Sequence, residues 1–124
     1  MSTIVAAAGD GRLSPIEVPT SFIVQNQSAA FQITLPAAYY ILGIVGQSLN
    51  GNAITGGLKI GTTLGGTDVV VAQPLPGNAF GAIADANILK RIFSIASTQN
   101  IFVDAVTAWN GAVINFAVLG MKLF

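Results

Sequence analysis

The stretch "GLKIGTTLGGTDVVVA", residues 57–72, decides the fold class. Glycines 57, 61, 65 and 66, with Gly56 just before them, surround two short apolar runs, and glycine-rich backbone of this kind can cradle a phosphate. A phosphate loop, however, runs into a helix whose N-terminus meets the anion, usually with a lysine just after the last glycine. Here Gly66 is followed by Thr67, Asp68 and then the β-branched run "VVVA", and the nearby Lys59 lies upstream. The residues therefore read as two strands joined by a hairpin, with Gly65 or Gly66 supplying the positive φ.

Working outward, "SLNGNA" at 48–53 and "PLPGNA" at 74–79 are further turn signals, and Asn50-Gly51 is the dipeptide most favoured in a two-residue type I′ turn. Punctuation every 8 to 15 residues, with β-branched and aromatic residues between, predicts an all-β chain. Strands are expected over 22–25, 30–35, 39–47, 53–61, 68–73, 92–96, 101–107 and 112–123. "FQITL" alternates cleanly, with Phe31, Ile33 and Leu35 on one face and Gln32 and Thr34 on the other. "ADANILKRIF" interrupts the strands: Asp85 stands as an N-cap, Ile88, Leu89 and Ile92 fall at helical spacing, and a helix of one to two turns is expected. The fold expected is an antiparallel β-sandwich or jelly roll of about eight strands with this one short helix, formed by residues 21–124. Its core would draw on Phe31, Ile33, Leu35, Ile41, Ile44, Leu58, Ile60, Val70, Leu89, Ile92, Ile101, Val103 and Phe116. Residues 1–20 hold Pro15 and Pro19 and read as an extended arm, lying along its own domain or reaching to an adjacent subunit.

Composition narrows function. The chain has 124 residues, enough for one core, with no histidine and no cysteine, so thiol chemistry and the commonest metal ligand are absent. No cofactor is expected. Only 8 % of residues are charged, against about 25 % in ordinary domains, and the five basic and five acidic residues cancel. Spread over the roughly 6,200 Å² that a monomer of this mass exposes, that is about one charge per 600 Å². Thirty Ser, Thr, Asn and Gln residues keep part of the surface wet, but a neutral, charge-poor surface favours association with other protein chains. Lys90 and Arg91 are the only adjoining positive residues, so no basic footprint for nucleic acid exists. The stretch from 18 to 58 carries no charge, yet its best apolar run, "LPAAYYILGIVG", is too short to span a bilayer, and the N-terminus lacks a positive leader. Synthesis in the cytoplasm and no membrane partner are expected.

Few residues offer chemistry. Asp68 follows a turn, Asp85 reads as a cap, and Asp104 sits within the apolar run "NIFVDAV", where an unpaired carboxylate would be costly. Asp104 is expected to pair with Arg91 or Lys90, inside the domain or across an interface, or to lie on a wet outer face. No Ser-x-x-Lys spacing offers an activated serine, so the chain is expected not to be an enzyme, a small hydrolase or lyase surviving only through the aspartates. Trp109, beside Asn110-Gly111, suits a core or interface anchor or a platform for stacking a sugar.

The phrases "LPAAYYILGIVGQSLNGNAITGGLKIGTTLGGTDVVVA" (35–72), "ADANILKRIFS" (84–94) and "NIFVDAVTAWNGAVINFAVL" (100–119) resemble, in their order, small β-rich proteins encoded among virion structural genes of tailed bacteriophages. The resemblance covers about residues 33–123 and not the arm, and it transfers no functional residue. It implies a decoration, head-fibre or tail-associated protein, often a homotrimer, resident in the virion and seated on the major capsid protein or another virion protein. The alternative is a glycan-binding or receptor-recognition module of the tail.

Overall fold

The computed structural model describes residues 19–123. The expected arm lies outside the described residues except for its last two positions, which open the first strand. Eight strands follow: β1 (Pro19–Gln27), β2 (Phe31–Leu35), β3 (Tyr39–Ser48), β4 (Leu58–Gly61), β5 (Val70–Gln73), β6 (Phe80–Ala82), β7 (Gln99–Ala105) and β8 (Ile114–Lys122). They form two four-stranded antiparallel sheets, ordered β1-β8-β3-β6 and β2-β7-β4-β5. Each sheet interleaves strands from both ends of the chain, the order of a jelly roll built from two Greek keys.

The period of two explains which side of each strand is covered. On β2, Ile33 and Leu35 are buried while Gln32 and Thr34 are exposed, and Ile33 pairs with Ile101 of β7. On β8, Ile114, Phe116 and Val118 turn inward. The inner faces meet in one core, where the Phe31 and Phe116 rings join the two sheets edge to face at 5.4 Å between centroids. Burying each large aliphatic side chain there contributes about 1.5–3 kcal/mol. β3 carries a bulge between Ile41 and Gly43, and the extra residue is why Ile41 and Ile44, three apart, both point inward.

The hairpin at residues 62–69 forms as the sequence predicts, with Gly65 at φ 78°. Three expectations need correction. The segment at 92–96 is no strand; Ile92 makes only an isolated bridge to Tyr40, and the remaining strand is the short β6. The helix at Asp85 is a single 3-10 turn, Asp85–Asn87, and its N-terminus has no side-chain cap. The Asp85 carboxylate is taken by Arg91 instead, and Leu89 N–H bonds to the Val69 carbonyl, so the chain leaves helical geometry to follow a sheet edge. Ile88 is therefore buried, while Leu89 and Ile92, expected in the core, are exposed. Lastly, Asn50-Gly51 has no positive φ; the left-handed pair is Asn110 (54°) and Gly111 (73°), closed by Ala112 N–H to the Trp109 carbonyl at 2.8 Å, a type I′ turn. Among the described residues no helix is long and apolar enough to cross a membrane.

Candidate assembly surface

The charged side chains hold the fold together. Asp104 projects from the outer face of β7, directly across from Lys59 of β4. Its Oδ1 accepts from Trp109 Nε1 at 2.9 Å and from the Ala105 N–H at 2.7 Å. Between Asp104 and Trp109, Val106 N–H bonds to the Gly57 carbonyl and Ala108 forms a bridge with Thr55, and the half-buried indole packs on the core, 6.4 Å from the Phe31 ring. Trp109 is thus an anchor within the domain. Asp104 does have a partner, but it is neither Lys90 nor Arg91 within this chain.

Those two basic residues sit on a segment that closes one side of the sandwich. Leu89 N–H bonds to Val69 O beside β5, whereas Ile41 N–H and Ala38 N–H bond to Arg91 O and Ser94 O, which caps the free edge of β3 beyond β6. There Arg91 pairs with Asp85 at 3.0 Å and donates from Nη1 to the Ile41 and Leu42 carbonyls at 2.9 and 3.2 Å, clasping the β3 bulge. Lys90 lies 3.6 Å from Asp68 and above the Phe93 ring. The Thr62 hydroxyl, 2.6 Å from Asp68 Oδ2, is the main cause holding that carboxyl below its ordinary range, aided by the Thr62 N–H and by Lys90. Tyr39 is buried, which pushes its phenol up to about 12; its hydroxyl donates to the Thr20 carbonyl and its ring meets Phe22 edge on. Among the described residues no three acidic side chains converge as a metal site would require.

The outer face of the β1-β8-β3-β6 sheet is different in kind. Its rows, read across the strands, are Ser21–Leu119–Gly43, then Ile23–Ala117–Val45–Ala82, then Asn115–Gln47–Phe80. None of the charged residues described projects from it. Lys122, at the end of β8, falls on the inward alternation with Phe116 and Val118 and donates to the Ala37 carbonyl at 2.9 Å. Ile23 is 64 % and Phe80 71 % exposed, and between them lies a groove of about 180 Å³ floored by Val45 and Ala117. Gln25, Gln47 and Asn115 line it as well, and Asn115 donates to Gln47 Oε1 at 3.3 Å. The opposite sheet turns Gln32, Thr34, Asn100, Phe102, Lys59 and Asp104 outward, a face that is mostly polar and carries charge.

Sequence reasoning singled out none of this surface. A signal existed in "INFAVLGM", apolar on both alternations and hence a strand whose second face also wants cover. Phe80 was hidden behind the turn "PLPGN". No family model matches this chain, and neither a curated protein nor a solved structure does, which leaves the charge-free sheet as the strongest pointer to function.

Proposed function

We propose that this chain is a structural component of a bacteriophage particle, a decoration or head-fibre protein on the outside of the head, acting as a homo-oligomer and turning over no substrate. The observation that carries the reading is a sheet face without a charge among the described residues, on a domain where Asp68, Asp85, Lys90, Arg91, Asp104 and Lys122 are engaged in holding its own turns and loops. Contiguous apolar surface of this extent marks a protein contact. The phrase order that resembles virion genes supplies the kind of particle. A shell repeats its surface, so several subunits of one oligomer engage together, and modest contacts of about 800 Å² each become tight through avidity. The trimer, the seat on the major capsid protein and residence in the virion belong to the same proposal. The glycan-binding alternative draws less support, since Trp109 spends its N–H on Asp104 and packs against Phe31.

Quantitative mass spectrometry of purified particles of the phage that encodes the chain tests this. Copies in the hundreds per particle are expected. Few or no copies, together with a hydrolytic activity lost in Asp104→Asn, would overturn it.

A further inference from the structure

We infer that the outer face of the β1-β8-β3-β6 sheet is the surface by which one copy of this chain docks on another, the Phe80 ring of one entering the groove of the next. The inference rests on the assembly reading above and names its surface. Knob and hole lie on the same face: Phe80 stands on the short edge strand β6, and the groove beside it is floored by the small Ala117 and by Val45. A Cβ built on Gly43 would meet nothing within 4 Å, so the face is open there to an incoming surface. A patch that bears both a projection and a matching recess is complementary to itself, which a partner of unrelated shape would not require.

Charge points to the same occupant. Two copies of a face with no ionised group approach without like-charge repulsion, and a charged partner would find nothing there to complement. By contrast, the outer face of the other sheet carries Lys59 and Asp104, whose opposite signs would have to be placed in register. The groove's amides, Gln25, Gln47 and Asn115, supply a polar margin beside an apolar centre, the usual anatomy of a specific interface. Size is adequate too. Three strands of nine or ten residues, β1, β3 and β8, run about 30 Å, and with the short β6 they cover roughly 500 Å² of flat sheet. Side-chain relief raises the accessible area toward the roughly 800 Å² per partner of a specific contact.

The test is the mass in solution of the full chain by light scattering, with four variants. The parent chain should weigh a multiple of 12.7 kDa across the micromolar range, two copies for a two-fold pairing and three for a ring. Ala117→Lys, which puts an ammonium on the groove floor, should give the single-chain mass, and Phe80→Ser should raise the dissociation constant about tenfold or more. Thr34→Lys, on the opposite outer face, should leave the mass unchanged. Should circular dichroism show Ala117→Lys unfolded, Phe80→Ser decides, because that ring lies outside the core. A parent chain of single-chain mass, or Ala117→Lys and Phe80→Ser chains that keep the parent's mass, would refute the docking face. So would loss of assembly on removing residues 1–18 while Phe80→Ser has no effect, which would make that segment the occupant. A single-chain protein still present in hundreds of copies on the particle would leave the virion reading standing without this interface. An assembled chain absent from particles would do the reverse.

Discussion

At Arg91 one guanidinium serves four acceptors: the Ile41 and Leu42 carbonyls at the β3 bulge, and the carbonyl and carboxylate of Asp85. Truncating it strands carbonyls in a half-buried site and releases the segment that caps β3, so Arg91→Ala should cost about 2 kcal/mol in urea unfolding. Arg91→Lys should recover only part, since an ammonium cannot reproduce the fork. Tyr39 makes a prediction in pH. Its folded phenol titrates at about 12, above the unfolded 10.0, so the stability it adds is whole below pH 10 and is lost as pH rises through 12. Tyr39→Phe should flatten that alkaline fall, while removing the hydrogen bond to Thr20 O costs about 1 kcal/mol at neutral pH. The chemistry of single residues was partly legible: a carboxylate in an apolar run must find a donor, and Asp104 did. The donor itself was not legible, because the indole comes five residues onward, past the end of β7, and is brought back by backbone bonds of residues 106–108 to Thr55 and Gly57.

The segment from Ile83 to Thr98 shows how an element escapes its own pattern. Ile88, Leu89 and Ile92 have helical spacing, yet the backbone donors at 89 and the acceptors at 91 and 94 are claimed by the edges of the two sheets. Tertiary hydrogen bonds outweigh a helix too short to stabilise itself. The observed arrangement separates neighbours: Ile88→Ala should cost about 2–4 kcal/mol in thermal or urea unfolding, and Leu89→Ala almost nothing, whereas a helix would have buried both. The two Asn-Gly dipeptides part in the same way. Gly111→Ala forces a side chain onto positive φ, 3.0 Å from Asn52 Nδ2, and should cost about 1–2 kcal/mol in the same measurement. Gly51→Ala should be nearly silent. Nothing in the dipeptides tells them apart; Asn50 differs because its side chain accepts the Asn52 N–H and donates to Gly111 O. Strands such as "FQITL", whose alternation faces water on one side and core on the other, were legible for the opposite reason, because burial alone sets their register.

For the whole molecule, scarcity of charge proved to be an arrangement rather than a dilution: among the described residues, the ionised groups lie on one sheet, on the loops and at the end of β8, and the outer face of the β1-β8-β3-β6 sheet is left bare. Composition raised the expectation of a covered surface, but only strand order shows which rows share a face. The expected role of the N-terminal segment in assembly has a clean test at this scale. Removing residues 1–18 stops short of β1, whereas removing residues 1–20 also takes the first two residues of the β1–β8 ladder and the carbonyl that Tyr39 uses. An exchanged arm predicts that both truncations weaken assembly in light scattering, with a lowered melting temperature for the longer one only.

The strand order also sets a timetable for synthesis. In the described sheet β1 has one neighbour, β8, so the earliest described strand must wait for the latest. Between Gln27 and Ile114 the ribosome adds 114 − 27 = 87 residues, which at about 5–20 residues per second leaves β1 single for on the order of ten seconds. Throughout that interval Phe22 and Val24, which later pack against the core, are unsheltered, and closure draws together two strands far apart in the chain, a slow step. Nascent chains are therefore at greatest risk of aggregating before β8 emerges, and a chaperone that grips "SFIV" would act in this window.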